Sequence, residues 1–186
     1  MTLGERYFMD NKCCSVAVLN IHQFKFFNEI FGHDLGDQLL CHEKKVIENN
    51  LHDGEFFCRD TADQFYVFLC ETEESVLLTR LNQMMEEIIE YMDLLHTNYH
   101  LKIHCGVAIS SEELIVDNCF EDLMVRVMFA LAKSKETILS NIWFYDIELH
   151  KQEIMDNYIE SHMEQALKDG EFQLYLQPKV DMETGQ

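Results

Sequence analysis

Residues 16–40 read VAVLNIHQFKFFNEIFGHDLGDQLL, and the fold is decided there. The run from Ser15 to Ile21 suits a buried strand. It passes at once into a segment where Phe24, Phe27 and Phe31 recur at helical spacing, so one face of that helix looks inward. Gly32 suits a helix stop, and Asp34 suits the cap of a second helix starting near Leu35. A strand, a polar turn, a helix and then Gly32-His33-x-x-Gly36-Asp37 form a pattern that packing alone does not require.

Further along, the apolar spacing predicts the remaining elements in order. Residues 1–14 are expected to form a short lead-in helix or arm. His52-Asp53-Gly54 is a turn, and residues 55–59 and 65–69 form a hairpin around the polar four Asp60-Thr61-Ala62-Asp63. Residues 73–96 carry Leu77, Leu81, Met84, Met85 and Ile88 on one face of a long amphipathic helix. A strand over 101–109, a helix over 120–135 and a short strand over 141–145 complete the order β-α-α-β-β-α-β-α-β. This contains a ferredoxin-like βαββαβ core, so the expected class is α+β, an antiparallel-rich sheet with helices on one face. From Asp146 a new helix with Ile147, Ile154, Tyr158, Ile159 and Met163 runs to Gly170, and residues 172–177 read as a strand ahead of Pro178.

A chain of 186 residues with 47% apolar content can bury one sizeable core with some extra. It has no apolar run of membrane-spanning length and no signal-peptide pattern at its start, so membrane contact is not expected and the expected location is cytoplasmic. The seven cysteines, with the vicinal pair Cys13 and Cys14 but no C-x-x-C, are expected to be buried reduced thiols. A net charge of −20 excludes nucleic acid as a partner, and a small phosphate ligand would need local cations or a metal to offset that field. His100 and His104 alternate with Leu101, Ile103 and Cys105, which puts both on the outer face of a strand rather than in a metal cluster.

The residues after the first strand resemble the opening of a GGDEF domain, the family that makes cyclic di-GMP from two GTP molecules. Its pattern reads Asp-x-Asp-x-Phe-Lys-x-x-Asn-Asp, then Gly-His-x-x-Gly-Asp. Phe24, Lys25, Asn28, Gly32, His33, Gly36 and Asp37 fit it, while Asn20 and His22 stand in place of the two aspartates. The segment from Ser161, with Ala166-Leu167, Glu171-Phe172, Leu174-Tyr175 and Gln177-Pro178, resembles the beginning of an EAL domain, the cyclic di-GMP phosphodiesterase family. The domains expected from these resemblances are a lead-in over 1–14, a degenerate GGDEF domain over 15–146, a connecting helix over 147–160 and the start of an EAL domain over 161–186. A piece of a longer GGDEF–EAL protein, with the EAL domain downstream, is the corresponding expectation. Residues 172–177, lacking the sheet that would pair them, are expected to be ordered by a second chain, giving a homodimer.

The GGDEF resemblance implies phosphoryl transfer with magnesium, triphosphate and attacking hydroxyl held in line. It implies metal ligands at Asn20 and Asp63, and an amide is a poorer magnesium ligand than a carboxylate. The signature is Thr61-Ala62-Asp63-Gln64-Phe65 in place of Gly-Gly-Asp-Glu-Phe, with Arg59 kept two residues before it. Thr61 and Ala62 add bulk where glycine lets backbone approach a ligand, and Gln64 removes another carboxylate. Functional catalytic residues are therefore not expected. Asn28 and Asp37 match the guanine-contacting positions and Lys133 the phosphate-contacting lysine, although the arginine expected four residues later is Thr137. Lys133 also suits the negative end of its helix dipole. A feedback site for cyclic di-GMP is not expected, since Arg-x-x-Asp is replaced by His52-Asp53-Gly54-Glu55.

Three readings stay open on the sequence. One is a non-catalytic regulatory module that binds GTP, with or without Mg2+, and acts on a phosphodiesterase domain. The others are a diguanylate cyclase that tolerates the changed motif and a structural or dimerisation spacer with an empty pocket. The altered metal and glycine positions weigh against the cyclase, and Asn28 and Asp37 weigh against the spacer.

Overall fold

The computed structural model describes residues 15–61, 63–94, 99–110, 120–137 and 141–175. The expected lead-in, Ala62, Cys13, Cys14, Cys119 and the tail from residue 176 lie outside the described residues. The chain divides into two units, Met1–Tyr145 and Asp146–Gln186.

The first unit is built on strand β1 (Ser15–Ile21), all seven residues of which are buried. Around it run α1 (Phe24–Phe31), α2 (His33–Asn50), β2 (Phe56–Arg59), β3 (Gln64–Leu69), α3 (Glu74–Leu94), β4 (Ile103–Ile109), α4 (Phe120–Glu136) and β5 (Ile142–Phe144). The five strands form one sheet in the order β2-β3-β1-β4-β5. Its first four are antiparallel neighbours, as the βαββαβ arrangement requires, and β5 joins parallel to β4 through the α4 crossover. The α+β class and the element order agree with the sequence expectation.

Side chains alternate along β1 into two cores. Ala17, Leu19 and Ile21 pack with Phe27 of α1, Leu39 and Ile47 of α2 and Leu81, Met84 and Ile88 of α3. Val16 and Val18 pack with Tyr66, Phe68 and Ala108, beneath Leu123, Val127 and Leu131 of α4. The expectation of helices on one face is therefore corrected: α4 covers the other. The strand residues on that second face are apolar too, and leaving them in water would cost about 25 cal/mol per Å². What seats α4 is Gly106 of β4. A Cβ there would overlap Leu131 N and lie 2.6 Å from Val127 O and 2.7 Å from Leu131 Cα, all backbone atoms of the helix.

Two local expectations change as well. Gly32, at φ 85°, does break the helices, but α2 starts at His33 with no side-chain cap, and Asp34 lies inside its first turn. There its charge still favours the positive end of the helix. Among the described cysteines only Cys105 is buried; Cys41, Cys58 and Cys70 are exposed, because each falls on the solvent side of its element or in a turn.

The second unit holds α5 (Ile147–Lys168), capped by Asp146 Oδ1, which accepts from the N–H groups of Glu148 (2.9 Å) and Leu149 (3.1 Å). Its amphipathic residues Ile154, Tyr158, Ile159, Met163 and Leu167 are all exposed. Gly170, at φ 72°, follows its end. Residues 171–175 form no strand, which corrects the expected start of a strand at Phe172. A strand needs a paired neighbour for its backbone groups, and the described part of this segment has none. No helix among the described residues is long and apolar enough to cross a membrane.

Replacing Gly106 by alanine must push α4 off the sheet. Urea unfolding should show a loss of about 3 kcal/mol for Gly106→Ala. Gly32→Ala, open in space but held at φ 85° and ψ 158° in a region nearly confined to glycine, should lose about 2 kcal/mol. A smaller loss at 106 than at 32 would contradict this packing.

Candidate functional site

β1 carries its burial to its end. Asn20, 7% exposed, lies opposite Gln64 of β3 and His104 of β4. It turns to the hairpin tip, where Asn20 Nδ2–H donates to Asp63 Oδ2 at 2.6 Å. The tip is folded back by Gln64 N–H on Thr61 O (2.8 Å) and Asp60 N–H on Gln64 O (3.2 Å). The two positions matched to metal ligands are thus brought together, as an amide bonded to a carboxylate. Burial pushes the Asp63 carboxyl above its usual range, opposed by its own backbone N–H, by Lys135, by Arg59 and by Asn20.

Of the other signature residues, Thr61 is exposed and Gln64 is half-buried. Phe65 is 1% exposed in the larger core, with the Arg59 guanidinium 5.8 Å from its ring centre. Arg59 pairs with Phe65 across the hairpin and is close enough to Asp63 to steady its charge.

Under the tip lies a residue that the sequence reading passed over. Glu43 of α2 has no exposed surface, and neither carboxylate oxygen has a hydrogen-bond partner among the described residues. Burial pushes its pKa up to about 8; the charge of Asp63 adds to the rise and Arg59 opposes it. At neutral pH it is therefore an acid that keeps its proton. A signal was present: Glu43 sits at helical spacing among the buried Leu39, Leu40, Val46 and Ile47, where an apolar residue belongs.

Asn28 and Asp37 stand on the neighbouring ridge of α1 and α2. The Asn28 Oδ1 atom is buried with no hydrogen-bond partner among the described residues. Its seat exists because residue 36 is glycine: a Cβ there would overlap Oδ1 and lie 3.0 Å from Asn28 Cγ. Asp37, one residue on, is exposed. Lys133 of α4 bonds Glu136 Oε2 at 2.7 Å and lies 5.7 Å from the Phe129 ring centre. The α4 cation that acts on Asp63 is Lys135 instead, a residue with no signal in the family pattern. At the position of the feedback motif, Glu55 holds Arg80 through bonds of 2.7 and 2.9 Å.

His104 corrects the outer-face expectation. It is 1% exposed, because α4 covers that side of β4, and its Nδ1–H donates to Ser134 O at 2.8 Å. That leaves Nε2 as an acceptor, 3.3 Å from Nδ1 of His22. Burial pulls the His104 pKa down to about 4; Lys102, His22 and Lys135 lower it further, and the Ser134 carbonyl opposes them. His100, ahead of β4, is exposed.

A five-stranded sheet of this topology with flanking helices is a diguanylate-cyclase-like fold. The family model for the diguanylate cyclase GGDEF domain matches residues 3–138, and the chain belongs to that family. Among curated relatives, the cyclic di-GMP phosphodiesterase NbdA of Pseudomonas aeruginosa is 29% identical over 94% of this chain and 22% of its own length. The cyclic di-GMP phosphodiesterase PdeB of Shewanella oneidensis is 26% identical over 88% of this chain and 19% of its own length. The chain thus spans about a fifth of these relatives. The active GGEEF domain of a diguanylate cyclase from Vibrio cholerae superposes with a TM-score of 0.65 at 24% identity, over 77% of this chain and 92% of that one. The DgcB GGDEF domain of Caulobacter crescentus, solved with c-di-GMP, gives 0.61 at 24% identity, over 75% and 84%. At these identities the structures speak for the fold alone.

GGDEF domains usually work with Mg2+ and GTP. The residues at this corner do not fit the ion. Asn20 presents an N–H to Asp63 rather than a lone pair to a metal, and Glu43 is sealed in the core. No cluster of three or more histidine, cysteine or acidic side chains suited to a metal occurs among the described residues.

Glu43 makes stability depend on pH. Its carboxyl titrates near 4.5 when unfolded and near 8 when folded. Between those values the folded protein holds a proton that the unfolded chain has lost, so stability falls as pH rises through that window. Glu43→Gln, which copies the protonated acid, should match wild type at about pH 4 and exceed it by a few kcal/mol at about pH 8. Parallel stability–pH curves from chemical unfolding would contradict it.

Proposed function

We propose that this domain is a non-catalytic guanine-nucleotide-binding module of a cyclic di-GMP signalling protein. In this reading residues 161–186 begin an EAL phosphodiesterase domain, and nucleotide bound at the GGDEF unit modulates that domain. The observation that carries it is the pairing of a kept base edge with a closed metal corner. Asn28 has an acceptor oxygen that no described protein group satisfies, and Asp37 stands exposed beside it. A small side-chain rotation offers that oxygen to a ligand. Guanine carries N1–H and N2–H donors on one edge, and adenine lacks that pair. At the other end, Asn20 bonds the Asp63 carboxylate.

Chemistry needs more than binding. Phosphoryl transfer is almost entirely positioning and charge stabilisation by metal ions and cations. Without the second carboxylate, turnover has no site for the ion, whereas the base can still be held.

Two outcomes follow. Chromatography should detect no cyclic di-GMP from GTP with magnesium or manganese; product above a no-protein control, abolished by Asp63→Ala, would overturn the reading. Calorimetry should show GTP bound in preference to ATP, with Asp37→Ala weakening GTP by about tenfold or more, since a hydrogen bond to a charged group contributes about 1.5–3 kcal/mol. Equal binding of ATP and GTP would contradict the guanine assignment.

A further inference from the structure

We infer that His22 and His104 form a chelate for a divalent transition metal of the zinc class, at the point where β1 ends against β4. The inference is independent of the nucleotide reading. It concerns imidazole ligands, which suit such ions, and not the oxygen ligands that magnesium requires.

The sheet sets the two rings against each other. Asn20 pairs with His104 across β1 and β4, and His22 N–H donates to Lys102 O at 2.7 Å, so the ladder continues one residue beyond β1. That bond holds the His22 backbone beside β4. His104 is fixed from behind. Its Nδ1–H donates to Ser134 O at 2.8 Å, and Ser134, itself fully buried, donates through Oγ to Leu131 O at 2.7 Å. A backbone carbonyl on one ring nitrogen, fixing the other as a lone pair, is the usual outer support of a metal-bound histidine. Here it leaves Nε2 of His104 facing Nδ1 of His22.

The spacing of the pair suits an ion better than a proton. The facing nitrogens are 3.3 Å apart, beyond the usual range of roughly 2.7–3.2 Å for a hydrogen bond from N–H. The ring centres are 5.2 Å apart, closer than a straight bond of that length would put them. Both distances are those of two imidazoles on one tetrahedral ion. With zinc–nitrogen bonds of about 2.0–2.1 Å, the nitrogens stand about 3.3–3.4 Å apart and the ring centres about 5.2 Å. His22 is exposed, so an ion reaches the pair from solvent. As the ion enters, the proton on Nδ1 of the neutral His22 ring passes through solvent to Nε2, and both facing nitrogens give their lone pairs to the metal. No cluster of three or more suitable side chains occurs among the described residues, so water completes the coordination. His22 stands where the GGDEF pattern has an aspartate, so the hard ligand of that position has given way to a softer one.

Calorimetric titration of the whole chain with zinc chloride tests this, in excess magnesium to occupy surface carboxylates. One zinc site is expected, weakened about tenfold or more by His22→Ala and by His104→Ser. It should be unchanged by His100→Ala, which alters an exposed histidine just ahead of β4. Zinc should also raise the melting temperature of the wild type and not that of His22→Ala, because only the folded chain holds the two nitrogens together. His104→Ser leaves a cavity in the core, so the exposed His22 variant decides, with circular dichroism to check its fold. Zinc affinity that survives His22→Ala unchanged overturns the inference. So does binding that His100→Ala weakens equally, or no zinc binding at all. The preference for GTP over ATP is read separately and stands or falls without it.

Discussion

β1 has no solvent face, and the rest of the domain follows from that constraint. A strand buried on both sides needs a helix layer on each, so α1, α2 and α3 cover one face and α4 the other. The second layer fits because β4 presents a bare Cα at Gly106 to the backbone of α4. Where such a strand ends, its polar side chains are already out of water and must be paired. Asn20 reaches across to Asp63, and His104, its neighbour on β4, reaches Ser134 and His22. The site is thus made of groups that close on one another.

In the proposed reading, that closure separates binding from turnover. In a magnesium-dependent phosphoryl-transfer site, carboxylates repel each other until the ion joins them. Here an amide stands at one position, a buried acid keeps its proton beneath the tip, and burial raises the Asp63 carboxyl although its own backbone N–H, Lys135, Arg59 and Asn20 oppose it. The ridge of Asn28, Gly36 and Asp37 belongs to different elements, α1 and α2, and is not touched by these changes. In the proposed reading a guanine edge survives on it while the metal chemistry does not.

Much of this was legible in the sequence. The element order followed from apolar spacing, and the family from the run around Phe24-Lys25, Asn28 and Gly36-Asp37. The second helix layer was missed because clean alternation in β4 was taken to mean a wet outer face. The continuous apolar run of β1 was the better guide, since it signals a strand covered on both sides. His104 was misplaced for the same reason. Glu43 could have been found, as a charge inside an apolar helical stripe. Lys135 could not: nothing local shows that a lysine near the end of α4 acts on a hairpin tip some seventy residues earlier in the chain. The apolar stripe of α5 is exposed, so its amphipathic pattern spoke truly of a helix and not of a core.

The central claim is that one amide–carboxylate bond stands where a metal ion would be needed. A crystal structure of the protein grown with GTP and excess manganese, using the anomalous signal of the metal, tests it most directly. The account predicts the Asn20–Asp63 bond intact and no anomalous peak within ligand distance of Asp63. A manganese ion joining Asp63 to the phosphates, with Asn20 turned away or ligating through its oxygen, would contradict it.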